Sequence, residues 1–398
     1  MTSALSPATL GAIKRLASLI KDDRISNIGF LTGAGTSVAS GIPDFRSAGG
    51  FYETLRPELI TASEEDRVKM RVDPQWALNR DLFLKDPIPY HEIDRPFMKG
   101  TLEGKWLPTL THWFYRLCQD NGKLGRLYTQ NIDGLDDMVG LEPKKIVAVH
   151  GSMRRVQCEH CGAHAPFEPY YRKALAQTRD ILGVDPDAPP VSTSVLCTGC
   201  GKPGLKPATV MFGAEMPMAF MGAMLNDFTR FGQMDADGNL PPPEGGEVDQ
   251  EPDAIALEDM TRTRFSTFDC FIVIGTSLVV YPVASLPEAM PDGVPRVLIN
   301  RELAGIFRTA DVMSEDATDF FLQGDCDVVV LELVKELGWL GQLAAYRHSG
   351  VCESAQQLLA ETLEGQDGTC SAGGTQQPPT AGGMKSRLPR GPKFRTDV

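Results

Sequence analysis

The sequence is short of basic charge and has no long apolar run. Its 398 residues carry 39 lysines and arginines against 52 aspartates and glutamates, a formal net charge of −13 at pH 7. A protein that binds nucleic acid regardless of sequence needs a basic face, so none is expected as a direct partner. No segment is apolar enough to cross a bilayer, and residues 1–10 lack the basic-then-apolar order of a secretory signal. We therefore expect a soluble protein of the cytosol, or of the nucleus, with no membrane partner.

Short apolar segments alternate with helix-compatible ones along the chain. The apolar segments are rich in β-branched residues on successive positions, which is typical of parallel strands covered on both faces. They lie at residues 28–31, 126–130, 146–149, 271–274 and 296–299. Helical spacing is clearest at residues 8–22 and 326–339. The pattern predicts an α/β fold with a Rossmann-like, doubly wound parallel sheet.

Other segments interrupt this alternation. We expect an N-terminal helical extension (1–24), a main α/β domain (25–345) and a flexible C-terminal tail (346–398). Within the domain we expect a helical insertion that forms a lid or a cleft wall (55–105), a small module that contains four cysteines (154–205) and an acidic loop (232–264). The end of the tail, residues 385–395, is basic, which favours a solvated tail over a nuclear-import or phosphate-binding role.

A glycine-rich turn follows the first predicted strand directly. Residues 32–46 read TGAGTSVASGIPDFR. Gly33 and Gly35 allow backbone N–H groups to approach a pyrophosphate, and the N-terminus of a following helix would favour its negative charge. Val38 stands where the dinucleotide fingerprint of dehydrogenases has its third glycine. Taken alone, the turn predicts a nucleotide site, or a tight loop without a ligand.

Four of the nine cysteines form two closely spaced pairs, Cys158-x₂-Cys161 and Cys197-x₂-Cys200. A reducing compartment disfavours disulfides, and four thiolates complete a tetrahedral zinc site with no open position. The spacing thus predicts structural zinc. Free thiols, a transient disulfide or a neighbouring histidine in place of one thiolate are the alternatives.

Together, these motifs resemble the sirtuin family. The glycine-rich turn continues as GIPDFR, and it is followed in family order by TQNIDGL (129–135), His150-Gly151 and the two cysteine pairs. The later matches are VMFG (210–213), GTSLVVYP (275–282), INRE (299–302) and GDCD (324–327). The resemblance spans about residues 25 to 340, and its end is most similar to the cytosolic and nuclear class I members.

The resemblance implies which residues bind NAD. Ala34, Gly35 and Ser37 would line the pyrophosphate and ribose, Phe45 would cover the nicotinamide side, and Arg46 would lie near phosphate. Gln130 would hold ribose hydroxyls, while Asn131 and Asp133 would recognise the nicotinamide carboxamide, and Cys326 would contact the adenine end through its backbone. The remaining implied NAD contacts are Gly33, Asp44, Ile132, Gly275, Thr276, Ser277, Asn300 and Glu302.

His150 is the implied general base. It follows the predicted strand 146–149, at the end of the sheet where doubly wound folds bind their ligands. Unperturbed imidazole has a pKa of about 6.5, which suits removal of a ribose hydroxyl proton near neutral pH. A histidine at a strand end can also be purely structural.

The implied reaction transfers the acetyl group of an acetyl-lysine to ADP-ribose, with release of nicotinamide. NAD⁺ is then a cosubstrate and zinc is structural. The partners are acetylated proteins or peptides, histone- or tubulin-like ones included, and an apolar tunnel would exclude a free ammonium. Val210 and Phe212 are the implied tunnel walls. The backbones of Phe212-Gly213 and of residues 278–280, with Leu278 and Val280, are expected to be extended and to clamp the peptide, although both segments suit core strands as well.

Alternative hypotheses for the function are a deacylase for longer acyl groups, a mono-ADP-ribosyltransferase, a nicotinamide dehydrogenase and an inactive module that binds zinc and a nucleotide. The lost third glycine and the zinc pairs argue against a dehydrogenase. The chain also departs from the family at Glu215, one position later than expected, which on a strand would turn that side chain to the other face. The oligomeric state, the target proteins and the acyl-chain preference are not indicated by the sequence.

Overall fold

The computed structural model describes residues 4–43, 51–229, 264–312, 314 and 317–367. The chain divides into two compact units, residues 1–359 and 360–398. Of the second unit the structure describes residues 360–367, which are helical. Among the described helices, none is long and apolar enough to span a membrane. The site described below lies in the first unit.

The described strands form two sheets. They are β1 Ile28–Thr32, β2 Leu124–Thr129, β3 Ile146–Ala148, β4 Gly151–Cys158, β5 His164–Ala165, β6 Leu205–Thr209, β7 Cys270–Ile274, β8 Arg296–Asn300 and β9 Asp319–Gln323. The large sheet has the order β3-β2-β1-β7-β8-β9 with every neighbouring pair parallel, and the small sheet has the antiparallel order β5-β4-β6. The predicted doubly wound fold is confirmed. Strand order reverses between β1 and β7, and ligands of such sheets bind beyond the carboxyl ends of the strands at this point.

The described helices surround both sheets. They are α1 Pro7–Lys21, α2 Phe51–Thr54, α3 Glu64–Val72, α4 Arg80–Lys85, α5 Ile88–Glu103, α6 Leu110–Asp120, α7 Leu135–Met138, α8 Phe167–Gln177, α9 Met218–Phe228, α10 Cys326–Leu337, α11 Leu340–Ala345 and α12 Glu353–Asp367. Helix α1 begins where the Ser6 hydroxyl accepts a hydrogen bond from the N–H of Thr9 (3.1 Å). Its buried face, with Ile13, Leu16 and Ile20, packs against α10 and β9. The predicted N-terminal extension is therefore part of the core.

The core of the large sheet is mainly apolar. Strands β1 and β7 are buried at every position, and side chains of β1, β2, β7 and β8 meet in one cluster that includes Leu31, Tyr128, Val273 and Leu298. Strand β9 was missed because its sequence, DFFLQ, has polar ends and follows a polar segment. Its pairing with β8 decides its structure.

The predicted insertion at residues 55–105 is helical and contributes α3, α4 and α5. The buried carboxylate of Glu92 on α5 accepts hydrogen bonds from the N–H of Thr61 (2.7 Å), from the Ser192 hydroxyl (2.6 Å) and from Arg179 Nε (2.9 Å). Thr61 belongs to the insertion, whereas Arg179 and Ser192 lie in the segment between the two cysteine pairs. The insertion is thus tied to the small module.

The C-terminal tail was predicted to begin too early. Residues 346–348 form a 3-10 turn and residues 353–367 form α12. Val351, Cys352, Ala355 and Leu359 are buried, so this segment continues the core beyond residue 346. The basic residues 385–395 and nearly all of the predicted acidic loop, 232–263, lie outside the described residues.

Candidate functional site

The glycine-rich turn links β1 to β7 by close packing. A Cβ added at Gly33 would lie 2.7 Å from Cβ of Thr276, and one added at Gly35 would lie 2.7 Å from Cα of Gly275. The N–H of Gly35 donates to the carbonyl of Gly275 (2.9 Å). The glycines are therefore required where the loops after the two strands touch. Residues 34–36 and 38–40 form 3-10 turns, so the expected helix N-terminus is not found within residues 34–43.

Polar side chains of the TQNID segment fix this turn from the side of β2. Asn131 Nδ2 donates to the carbonyl of Gly33 (3.1 Å) and to the Thr36 hydroxyl (2.9 Å). The Ser37 hydroxyl donates to Asp133 Oδ2 (2.7 Å). Burial raises the pKa of Asp133, while the Leu135 N–H and the Ser37 hydroxyl oppose that effect. Asp133 therefore orients Ser37. The side-chain oxygen of Asn131, Oδ1, accepts no hydrogen bond from any described residue.

A second set of contacts joins β2, β7 and β8 at the same edge. Gln130 Nε2 donates to the Thr276 hydroxyl (3.0 Å). Asn300 Nδ2 lies 3.5 Å from the Thr276 carbonyl and 2.9 Å from the Glu302 carbonyl. These contacts place the end groups of three strands side by side.

His150 lies two residues after β3, at the junction of the two sheets. Its Nδ1 is 3.0 Å from the carbonyl oxygen of Gln130, and its own carbonyl accepts from the N–H of Val210 (2.8 Å). A carbonyl can only accept, so Nδ1 carries the proton of the neutral ring and Nε2 is left as the base. Burial lowers the pKa of His150, with an opposing effect from Gln130, and so favours the neutral ring.

One cleft of about 1160 Å³ brings these motifs together. His150 lines it. So do the predicted NAD contacts Gly33, Ala34, Gly35, Ser37, Gln130, Asn131, Ile132, Asp133, Gly275, Thr276, Ser277, Asn300, Glu302 and Cys326. The predicted contacts Asp44, Phe45 and Arg46 lie outside the described residues.

The peptide-contact predictions are only partly matched by the geometry. Val210, Phe212, Gly213 and Val280 line the cleft, whereas Leu278 is 5% exposed and is not among the described residues that line it. The expected extended backbone is wrong at Gly213 (φ 83°) and at Leu278 (φ 52°), because both residues turn the chain.

The backbone of Phe212 is also already engaged. Its N–H donates to the carbonyl of Leu78 (3.1 Å) and its carbonyl accepts from the N–H of Arg80 (2.9 Å). A substrate peptide that binds as an added strand must therefore hydrogen-bond to the backbone of residues next to Phe212 instead. Glu215 is exposed and lies in an irregular segment rather than on a strand, so strand alternation does not decide which way its side chain faces.

The helical insertion supplies cleft residues that the motifs did not single out. Tyr90, Ile93, Asp94 and Phe97 of α5 line the cleft, and Ile181 lies there too. The sequence indicated a cleft wall in this region from its aromatic and charged composition. Which side chains face inward depends on how α5 packs against α8 and β4, and no local pattern encodes that packing.

The four paired cysteines converge at one end of the small sheet. The Sγ atoms of Cys158 and Cys200 lie 3.8 Å apart, as do those of Cys161 and Cys197, and all four lie within 4.8 Å of one another. Ligands about 2.3 Å from a tetrahedral ion lie about 3.8 Å apart. The cluster therefore fits a structural zinc ion, as predicted.

Comparison with known proteins agrees with this geometry. The Sir2 family profile matches residues 33–233. The chain is 32% identical over 332 residues to "NAD-dependent protein deacetylase hst2" of Schizosaccharomyces pombe, covering 83% of this chain and 78% of that protein. It is 30% identical over 333 residues to "NAD-dependent protein deacetylase sirtuin-3" of Mus musculus, with the same shares.

A third relative is longer than this chain. The match to "NAD-dependent deacetylase sir2C" of Dictyostelium discoideum is 31% identical over 332 residues, and it covers 82% of this chain but 60% of that protein. The matches to the other two relatives are more nearly full-length. From the family profile, the extent of these matches and the convergence of the motifs in one cleft, it follows that this chain belongs to the Sir2 family, the sirtuins.

Proposed function

We propose that the protein is an NAD-dependent protein-lysine deacetylase that transfers the acetyl group of acetyl-lysine to ADP-ribose and releases nicotinamide and O-acetyl-ADP-ribose. The relatives named above are NAD-dependent deacetylases. The observation that carries the proposal is the placement of His150 in the same cleft as the glycine-rich turn and the TQNID side chains. The proposed base and the proposed dinucleotide site thus share one cavity.

His150 is proposed to remove a proton from a ribose hydroxyl. The Gln130 carbonyl holds Nδ1, which leaves the Nε2 lone pair to accept the proton. Because burial lowers the pKa of His150, the ring is in its basic form at neutral pH. Geometry and protonation state therefore suit the same role.

The turn and the TQNID segment are proposed to hold NAD⁺. Bound NAD⁺ supplies the glycosidic bond whose cleavage drives the transfer. Gly33, Ala34 and Gly35 present backbone to the cleft, and Ser37 is kept in place by Asp133. The side-chain oxygen of Asn131, Oδ1, is available to accept a hydrogen bond from the nicotinamide carboxamide. Preorganised groups of this kind lower the barrier because they need not reorient during the reaction.

The four cysteines are proposed to hold zinc for structure alone. Four thiolates leave no coordination position for substrate, and none of the four lines the cleft. Zinc would instead fix β4 and β6, the strands that adjoin His150 and Val210. Removal of zinc should thus impair the site indirectly.

The proposed substrates are acetylated proteins, histone- or tubulin-like ones included, in the cytosol or the nucleus. Apolar side chains at the cleft wall, among them Val210, Phe212 and Ile93, suit the neutral acetyl-lysine side chain. A free ammonium would be desolvated there at a large cost, so the deacetylated product is disfavoured and leaves.

The test is deacetylation of an acetyl-lysine peptide with and without NAD⁺. We expect NAD⁺-dependent loss of acetyl, with O-acetyl-ADP-ribose in equal amount by mass spectrometry. His150→Ala should reduce kcat/KM by about 10² to 10⁴-fold, the contribution of a positioned base. His348→Ala, which alters an exposed histidine away from the cleft, is the matched control and should retain activity.

The same experiment separates the alternative activities. A target protein that gains ADP-ribose without losing acetyl would replace the proposal with a mono-ADP-ribosyltransferase. NADH absorbance during turnover would replace it with a dehydrogenase. Removal of long acyl groups without removal of acetyl would replace the proposal with a deacylase for longer acyl groups.

A further inference from the structure

Two carbonyls of the glycine-rich turn are held by side chains from distant parts of the chain. The Thr109 hydroxyl, directly before α6, donates to the carbonyl of Thr36 (3.0 Å). The Ser354 hydroxyl, in the first turn of α12, donates to the carbonyl of Ala39 (2.6 Å). Thr36 and Ala39 both line the cleft, whereas Thr109 and Ser354 lie outside its described lining. The backbone of the proposed NAD⁺ site is thus fixed by groups that do not face the cofactor.

The carbonyl of Ala39 is bonded by the C-terminal segment and not by the turn itself. The backbone hydrogen bonds of the second 3-10 turn engage the carbonyls of Ser37 and Val38. Among the described residues, the donors to Ala39 are the Ser354 hydroxyl and, at 3.6 Å, the thiol of Cys352. A thiol is the weaker donor. Ser354 therefore supplies the main contact that fixes this carbonyl.

Residues 351–355 (the C-terminal clasp) have anchors of their own. Three of their five side chains are buried. The N–H of Cys352 donates to the carbonyl of Pro108 (2.9 Å), and the Ser40 hydroxyl donates to the carbonyl of Leu107. The clasp and the turn therefore meet on the same connection, directly before α6. Because the clasp is anchored there, one hydroxyl on it can fix the position of the turn.

A turn that is fixed before the cofactor binds should bind it more tightly. Without the bond to the clasp, the carbonyl would be solvated by water and the turn would sample other conformations. Ordering the turn would then cost free energy when the cofactor binds. The cofactor is bound in the ground state and in the transition state alike, so this cost should weaken binding and leave turnover at saturation unchanged.

We propose that Ser354 is a positioning residue for the cofactor, because its hydroxyl fixes the carbonyl of Ala39 and holds the turn in the conformation that binds NAD⁺. The C-terminal clasp then sets the affinity for NAD⁺, and the chemical step is left to the groups of the cleft. The inference rests on the proposed function, since the turn is taken as part of the NAD⁺ site.

The first test is calorimetric titration of the full chain with NAD⁺, without peptide. Ser354→Ala should raise Kd about three- to tenfold, the effect of one hydrogen bond. Ser354→Thr keeps the hydroxyl and should bind like the unaltered protein. Ser349→Ala, which removes an exposed hydroxyl just before the clasp, is the matched control and should also leave Kd unchanged.

This titration separates positioning from folding. Partial loss of folded protein lowers the binding stoichiometry and not the affinity, and alanine is a better helix former than serine, so a weaker helix is not the cause of a higher Kd. An unchanged Kd in Ser354→Ala would overturn the inference, as would an equal rise in Ser354→Thr or Ser349→Ala. If the unaltered protein binds no NAD⁺, the proposed function fails instead.

The second test divides the effect between binding and chemistry. In Ser354→Ala the KM for NAD⁺ should rise by the same factor as Kd, while kcat and the KM for the acetyl peptide stay unchanged. A fall in kcat at saturating NAD⁺ without a rise in that KM would show that the clasp acts on the chemical step, contrary to the inference.

Discussion

The two sheets differ in what stabilises them. Strands β1 and β7 of the large sheet are buried at every residue and are covered by an apolar cluster. In the small sheet, β5 has two residues, and four thiols converge at one end, with Cys161 exposed. Apolar burial therefore stabilises the large sheet, whereas the small sheet combines a smaller apolar cluster with four cysteines that fit a zinc ion.

His150 depends on both sheets at once. Its ring is held by the Gln130 carbonyl, which directly follows β2, and its carbonyl by Val210, which directly follows β6. The proposed base is therefore positioned by two sheets of different kinds. One is stabilised by its apolar core, and the other is expected to need zinc for its stability. Perturbing either sheet should therefore affect activity, but through different losses of structure.

Loss of zinc should have the largest effect and should be local. Structural zinc sites contribute about 10 kcal/mol or more of binding free energy to folding. Cys200→Ala, or chelation, should release one zinc per chain and abolish activity. Hydrogen exchange should then show amides of β4 and β6 unprotected while those of β1 and β7 stay protected.

Cys118→Ala is the control, because Cys118 is buried on α6, away from the cysteine cluster. It should keep one zinc per chain. Simultaneous exchange of both sheets after zinc loss would show that the large sheet is not self-sufficient, and the comparison between the sheets would then fail.

Substitution at Gly35 should cost about 3 kcal/mol of unfolding free energy, the upper end for overpacking, because the added Cβ would meet the backbone of Gly275 at 2.7 Å. The Michaelis constant for NAD⁺ should rise as well. Thermal unfolding and NAD⁺ titration of Gly35→Ala measure the two effects. Gly11→Ala adds the same methyl group on the exposed face of α1, with no atom within 4 Å, and should stabilise the protein by up to about 1 kcal/mol.

A matched pair of valines separates the two cores. Val273→Ala in β7 should lower the free energy of unfolding by about 2 kcal/mol, because it removes two buried methyl groups. Val156→Ala in β4 makes the same deletion in the small sheet's cluster. In Val156→Ala we expect the lost stabilisation to appear chiefly as weaker zinc binding, measured by competition with a chelator. Equal zinc affinities in the two variants would contradict the division into two cores.

Of the four measurements, the pH dependence of kcat/KM should show the smallest effect. Burial lowers the pKa of His150, so the neutral base persists to lower pH than for an exposed histidine. Activity is therefore lost as pH falls through a pKa below the ordinary value of about 6.5. The acid limb of kcat/KM should be centred below that pH, and the residual activity of His150→Ala should lack the limb. A limb centred above 6.5 would show that the ring is not buried in the working enzyme.

The sequence predicted the strands of the large sheet closely, since β1, β7 and β8 each differ from the expected segment by one residue at one end. Their continuous apolar composition is a local property, and burial on both faces follows from it. Strand β9 was missed because its pairing with β8, rather than its own composition, stabilises it. Helix α12 was overlooked although its residues are mostly good helix formers, and the core was therefore ended too early, at residue 345.

The sequence by itself determined the family motifs, the zinc ligands and the identity of the proposed base, because fixed spacing and residue type carry that chemistry. Only the tertiary structure decided that Asp133 orients Ser37, that Phe212 is already paired with residues 78–80, and that Tyr90 and Phe97 of α5 line the cleft. These contacts join residues far apart in the chain, and their geometry follows from how helices and sheets pack, which no local pattern of residues records.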